Sequence, residues 1–303
     1  MRIFVTGASG HIASAVIPVL ISAGHTVVGL ARSDSAAAAI QALGAEVHRG
    51  DLADTSSLTA AAKQADGVIH LAFDHEQQAK GNLQGAVAAD LGAIHAIGQA
   101  LAGSDKPFVG TCATGGIALA GFSGLLTENV TLPGGPRIEA ENAVIALAQQ
   151  GVRSSVMRLP PAVHHNGRYG FVSGLIDIAR NTGIAGYLGD GGNRWPSTDA
   201  RDVAAAYRMA LESATAGTRF HAVAEEGISM REIALAIGLR LGVPAVAITP
   251  EDAQRQFGFL AAFVGLDNPA SSQITRDTLG WVPIRPGLVE SIETDPALTP
   301  RAN

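Results

Sequence analysis

Short apolar runs alternate with longer segments of helical period over the first half of the chain. Residues 2–6, 26–31, 46–49, 67–72, 107–111 and 153–159 are the predicted strands. They read as continuous apolar stretches instead of alternating ones, the mark of strands buried on both faces of a parallel sheet. Between them the spacing predicts helices over residues 11–23, 33–42, 55–64, 82–102 and 137–150. In the fourth of these, Leu83, Val87, Leu91, Ile94, Ile97 and Leu101 recur at three- and four-residue steps, an apolar stripe that belongs against a core. Elements in this order fold by right-handed crossovers into a doubly wound, parallel α/β sheet of the Rossmann type.

Past Leu159 the pattern breaks up. Pro160 and Pro161, followed by many glycines between Gly167 and Gly192, cut the chain into shorter pieces. The domain change is therefore placed near Pro160, with residues 1–160 as the nucleotide-binding domain. Residues 161–303 are expected to form a smaller, mostly helical substrate-binding region, partly interleaved with the first. Within it, helices are expected at residues 171–181, 199–213, 229–241 and 250–257 and a strand at 218–223, and the tail DPALTPRAN is expected to fray.

Composition narrows the partners. At 47% hydrophobic and 16% charged, the chain is neither disordered nor a coiled coil. A formal charge of -6 with no Lys/Arg-rich run argues against nucleic acid as a partner. Cys112, the single cysteine, has no partner for an internal disulfide, and MRIFVTG lacks the features of a secretion signal. No apolar stretch has the length of a membrane helix. A soluble, cytoplasmic protein without membrane partners is the expectation.

VTGASGHIA, Val5–Ala13, follows the first strand directly and opens the first helix. Gly7 and Gly10 permit a tight turn and close approach of backbone to a pyrophosphate, and Ala13 keeps the helix against the strand. Ser9, His11 and Ile12 complete the turn, and the phosphates sit on the free N–H groups of the helix start. An acidic residue at the end of the second strand would hold a ribose 2′-hydroxyl; in ARSD that place falls on Ala31, followed by Arg32 and Ser33. A cationic fork beside a hydroxyl suits a 2′-phosphate, so NADP(H) is favoured over NAD(H). The alternative makes Arg32 a solvated surface residue and Ser33 or Asp34 a helix cap. Asp51, beside Leu52 in RGDLAD, either meets the adenine amino group or serves the turn.

These motifs, with DGVIHLA at Asp66–Ala72, VMRLPPAVH at Val156–His164 and DARDVAAA at Asp199–Ala206, resemble the extended short-chain dehydrogenases/reductases of the NAD-dependent epimerase/dehydratase-like group. The likeness covers nearly the whole chain in the expected order. It implies further cofactor contacts from Leu71, Ala72, Phe73, Thr111, Leu159 and Pro160. It also implies a homodimer through the two helices over residues 82–102 and 137–150, which are rich in alanine.

The family's reaction depends on a Tyr-x-x-x-Lys pair and a nearby Ser or Thr. Here Tyr169, Tyr187 and Tyr207 are followed four residues on by Ser173, Gly191 and Leu211, so the pair is missing. Aligned through Glu141, the tyrosine position is Pro133 and the lysine position Arg137, which keeps a ribose-holding charge and cannot shuttle a proton. Thr114, in preference to Thr111, stands where a hydroxyl would polarise a carbonyl, and Cys112 reads as a packing residue. His164 and His165, after the sixth strand, and Tyr169 on the same segment are candidate proton donors, with loop packing as the alternative. His75 then either faces the nicotinamide or caps its loop, and Trp195 with Phe171 either walls an apolar pocket or fills a core. No metal-ligand spacing is present.

The resulting expectation is NADPH-dependent reduction of an aldehyde or ketone, apolar or aromatic. An inert NADP(H)-sensing protein and a sugar-nucleotide epimerase or dehydratase are the alternatives.

Overall fold

The apolar run at the start of the chain becomes β1 (Arg2–Thr6), inside a seven-stranded sheet of the computed structural model, which describes residues 1–135 and 137–299. From there α1 (His11–Ser22), β2 (Thr26–Ala31), α2 (Asp34–Ala42), β3 (Glu46–Arg49), α3 (Thr55–Gln64) and β4 (Gly67–His70) alternate. They are followed by α4 (His75–Ala79), α5 (Leu83–Leu101), β5 (Pro107–Ala113), α6 (Thr114–Leu119), α7 (Ile138–Ala146) and β6 (Arg153–Leu159). The second half holds β7 (Ala162–His164), α8 (Phe171–Thr182), β8 (Ala185–Leu188), β9 (Arg194–Asp199), α9 (Ala200–Ser213), β10 (Thr218–His221), β11 (Glu225–Ser229), α10 (Met230–Leu241) and β12 (Ala245–Ile248). Short helices end the chain: α11 (Ala253–Phe257), α12 (Ala261–Val264), α13 (Gln273–Leu279) and α14 (Leu288–Thr294). Several helices begin one residue later than their periodicity suggests, because Ser33, Asn82, Asp199 and Ser229 turn a side-chain oxygen to a backbone N–H as N-caps.

The strand order is β10, β6, β5, β4, β1, β2, β3, with every pairing parallel. Both faces are covered. Ile3 and Val5 point to a core shared with Ile17 and Leu20 of α1 and Val203, Tyr207 and Leu211 of α9. Phe4, between them, points to the opposite core with Leu58, Ile94, Ile97 and Val144 from α3, α5 and α7. Successive residues of one strand thus serve two cores, which is why the strand reads as uninterrupted apolar sequence. β3 is the exception: at the sheet edge, none of its four residues is fully buried.

Residues beyond Pro160 complete this sheet, since α9 packs beside α1 and β10 pairs with β6. The remaining later elements enclose a separate core of Val172, Ile176, Trp195, Ile233, Ile237 and Phe257. That region is mostly helical as expected, with more strands than the single one the sequence suggests. It contains a three-stranded sheet of β11, β9 and β7 and a two-stranded sheet of β12 and β8. Their sequences hide them: β9, RWPSTD, carries a proline and three polar residues, all buried. The expected fraying of the tail also fails as far as it is described. Asp295 accepts hydrogen bonds from Tyr169 and Arg240, and Leu298 is buried, while residues 300–303 lie outside the described part. Among the described residues, no helix is long and apolar enough to cross a membrane.

Candidate nucleotide-cofactor site

Order reverses between β4 and β2 on either side of β1, and a cleft of about 690 Å³ opens at the carboxyl ends of these strands. Gly7 takes φ +65°, and a Cβ there would stand 2.8 Å from the Ala72 nitrogen. At Gly10 a Cβ would crowd the Gly7 carbonyl at 3.1 Å. Both glycines are therefore dictated by backbone packing. Gly10 offers α1 no side-chain cap and the first turn holds no acid, so its N–H groups are left for an anion. A glycine cradle in front of an uncapped helix start fits the pyrophosphate of a dinucleotide.

Gly7, Ser9, Gly10, His11, Ile12, Arg32, Ser33, Asp51, Leu52, Leu71, Ala72 and Phe73, all named from sequence as cofactor contacts, line this cleft, and so does His75. Thr111, Arg137, Leu159 and Pro160 are not part of its wall. Ser35, Asp74 and Glu76 are wall residues that sequence reasoning missed. Arg32 is largely exposed and its Nη2 lies 3.3 Å from Glu76. Ser33 both lines the cleft and caps α2, accepting from the Ala36 nitrogen at 3.2 Å. Asp51 likewise has two positions in the fold, facing the cleft and holding its own turn by accepting from the Ala53 nitrogen.

Beneath the cleft a polar chain runs inward. Thr6 Oγ1 accepts from the Ala72 N–H and lies 2.8 Å from His70 Nδ1; His70 Nε2 lies 2.9 Å from Asp90 Oδ1. Asp90 Oδ2 in turn faces Arg137 Nη1 at 3.4 Å. Arg137, at φ +70° before α7, donates from Nη2 to the Thr111 carbonyl and lies 4.0 Å from the Phe73 ring centroid. The helix behind it is held by Glu141, buried between Arg158 and Arg219 at 2.6 Å each. Arg137 Nη1 and Asp90 Oδ2 are buried without a hydrogen-bond partner. This orphaned pair, next to a ring that lines the cleft, fits a ribose-holding role.

The hydroxyls expected to act on substrate are otherwise engaged. Thr114 is fully buried and its Oγ1 accepts from Asn268 Nδ2, a residue packed over it from the far end of the chain, so its expected carbonyl-orienting role is not supported. Thr111 Oγ1 donates to the His70 carbonyl and meets the Tyr207 hydroxyl at 2.7 Å. Burial pushes the Cys112 thiol up to about 12, in keeping with a packing residue.

The expected donor segment comes apart in the same way. Tyr169 is a correction: its buried hydroxyl donates to Asp295 Oδ2 at 2.5 Å, and burial together with that carboxylate raises its pKa. His164 lies in β7 opposite Asp199, with both ring nitrogens buried and unpartnered, and burial holds its pKa down to about 4. A neutral, enclosed imidazole cannot deliver protons to the cleft, which corrects the second expectation. His165 remains partly exposed, 3.9 Å from Asp199. Trp195 is 2% exposed within the second core, so the expected pocket wall is a packing residue. Phe171 packs against the same core, its ring 6.4 Å from Trp195 and 5.0 Å from Phe263. His75 is exposed at the cleft, edge-on to Phe73 at 5.1 Å. Among the described residues, no cluster of His, Cys, Asp and Glu could hold a metal ion.

Sheet order and glycine cradle define a doubly wound, Rossmann-type α/β protein. The chain belongs to one family with two yeast proteins, each named only as uncharacterized. The Schizosaccharomyces pombe protein is 43% identical over 97% of this chain and 99% of its own length. That of Saccharomyces cerevisiae is 40% identical over 98% and 100%. The NmrA-like family model matches residues 1–98. Among solved structures, the Thermotoga maritima UDP-glucose 4-epimerase with UDP-glucose superposes with a TM-score of 0.78 at 18% identity, covering 97% of both chains. A dTDP-glucose 4,6-dehydratase of Streptomyces venezuelae, with NAD bound, gives 0.76 at 17% identity over 98% of this chain and 96% of its own. At these identities the likeness is one of fold.

Proposed function

We propose that the chain is an NADP(H)-dependent oxidoreductase that reduces an aldehyde or ketone carrying an apolar or aromatic group. The observation that carries this reading is the cradle of Gly7, Gly10 and Ala72, opening beside Phe73 and the Arg137 guanidinium stacked on it. NAD in the Streptomyces dehydratase supports a dinucleotide in the same fold. Arg32 with Ser33 and Ser35 at the cleft wall supports one bearing a 2′-phosphate. When bound, the cofactor supplies a hydride. Arg137, fixed by Asp90, holds ribose hydroxyls. His75 is the exposed imidazole of the cleft wall and supplies the proton, directly or through one water.

A second reading, a cofactor-sensing protein without turnover, is favoured by one observation: the hydroxyls of Thr111, Thr114, Tyr169 and Tyr207 are all committed inside the fold. NADPH consumption with a panel of carbonyl compounds, beside direct titration of NADPH and NADH, separates the two. Firm NADPH binding with turnover supports the reductase; firm binding with an inert panel supports the sensor.

A cytoplasmic homodimer through α5 and α7 belongs to the same proposal. Ala86, Ala93, Ala96 and Ala140 face the chain's own core and are not open to a partner. Ala88 and His95 lie on the exposed side of α5 and would make the contact. Light scattering of the protein and of Ala88→Arg tests it; a wild-type mass near 30.9 kDa at all concentrations would refute it.

A further inference from the structure

Arg32 is the cation among the residues lining the cleft, which also presents the carboxylates of Asp51, Asp74 and Glu76. Arg32 follows β2 and Glu76 lies in α4 after β4, and those two strands flank β1 on opposite sides. The contact between Arg32 Nη2 and Glu76 Oε2, at 3.3 Å, therefore spans the cleft across the end of β1, where the glycine turn begins. The other oxygen of Glu76 accepts from Lys80 at 2.7 Å, one turn along α4, so Glu76 keeps a partner when Arg32 turns away. Among the described residues, Arg32 has no second carboxylate within ion-pair distance.

We propose that Glu76 sets the cofactor preference of this site by competing with a 2′-phosphate for Arg32. The inference rests on the reading of the cleft as a dinucleotide site. A 2′-phosphate brings close to two negative charges and three acceptor oxygens to the guanidinium fork, whereas Glu76 brings one charge and one contact. The phosphate wins that exchange, at the cost of breaking the pair and of standing near the Glu76 carboxylate, which then keeps Lys80 alone as its partner. A nucleotide with a free 2′-hydroxyl has no claim on Arg32 and leaves the pair closed. Glu76 thus holds down affinity for the phosphorylated cofactor and leaves the other nearly untouched, which narrows the preference that Arg32 alone would give. Both partners are more than half exposed, so the effect is modest and salt-dependent.

The test is calorimetric titration of the full chain with adenosine 2′,5′-bisphosphate and with adenosine 5′-diphosphate, at low ionic strength and again in high salt. Glu76→Gln should tighten the bisphosphate about three- to ten-fold and the diphosphate less than about two-fold. In an Arg32→Ala background the gain should fall below about two-fold, and high salt should shrink it in the wild-type background. Equal tightening of both nucleotides, an undiminished gain without Arg32, or no gain at all would overturn the competition. If the wild-type chain binds both nucleotides and Glu76→Gln moves neither, this inference alone fails. If the wild-type chain binds neither, the cofactor reading of the cleft fails first and takes the inference with it.

Discussion

Asp90 and Arg137 face each other at 3.4 Å, one from the middle of α5 and the other from a left-handed residue just before α7. The carboxylate is almost fully buried and its other oxygen lies against His70. Removing the guanidinium leaves a buried charge with only an imidazole for company. Arg137→Ala should lower stability by about 3–5 kcal/mol in urea unfolding. The double variant Arg137→Ala with Asp90→Asn should recover a large part of that loss. Loss of NADPH affinity should persist in the double variant, because the charge proposed to hold the ribose is still gone.

Gly7 gives a sharper expectation. At φ +65° with backbone atoms of Ala72 waiting 2.8–2.9 Å from any Cβ, Gly7→Ala has to move the strand end or the turn. NADPH affinity should drop more than about ten-fold and stability by about 1–3 kcal/mol. The same change at Gly24, which has open space around its Cβ position, should leave cofactor affinity intact and serves as the control.

Acid should weaken the fold through His164. Its folded pKa of about 4 lies below its ordinary 6.5 because burial disfavours the charged ring, so between those values the unfolded chain takes up a proton that the folded one refuses. The stabilisation is present above pH 6.5 and lost as the pH falls toward 4. Stability at pH 5 should be about 2 kcal/mol below that at pH 7 from this residue. His221 is depressed by burial in the same direction and adds to the slope. Urea titrations of His164→Gln should show a shallower pH dependence; an unchanged slope would place the effect elsewhere.

Tyr169→Phe separates structure from chemistry. Its hydroxyl donates to the Asp295 carboxylate, so the variant should lose about 1.5–3 kcal/mol of stability and keep full NADPH-dependent turnover. His75→Ala should do the reverse, lowering turnover about 10²-fold or more with stability and cofactor affinity nearly unchanged. A turnover defect in Tyr169→Phe at a temperature where it is fully folded would restore the phenol as a proton donor.

Sequence made the nucleotide half legible because its strands are short, apolar and buried on both sides. β1, β2, β3 and β6 begin and end where the pattern places them. The glycine turn was legible for a different reason: its residues are constrained by local backbone, and local constraints leave a local signature. What escaped was decided by distant partners. β9 is buried through its pairing with β7 and β11, which no alternation in RWPSTD announces. Glu76 beside Arg32, Asn268 over Thr114 and Asp295 against Tyr169 join residues 44, 154 and 126 positions apart. Trp195 shows the same limit, since indole volume serves a pocket wall and a core equally well until its neighbours are known.

The return of the chain through α9 and β10 bears on how the protein is made. The outer face of α1 is covered by α9, and β6 gains its outer neighbour only when residues 218–221 have been synthesised. Until then a nascent chain that already contains the glycine turn keeps an apolar helix face and an unpaired strand edge in water. Such a fragment is a target for chaperones and an aggregation hazard. Synthesis halted near Pro160 should yield a soluble product only with a chaperone bound, whereas a stop after residue 221 completes the seven-stranded sheet and still lacks Trp281, which fills the first core from the far end of the chain.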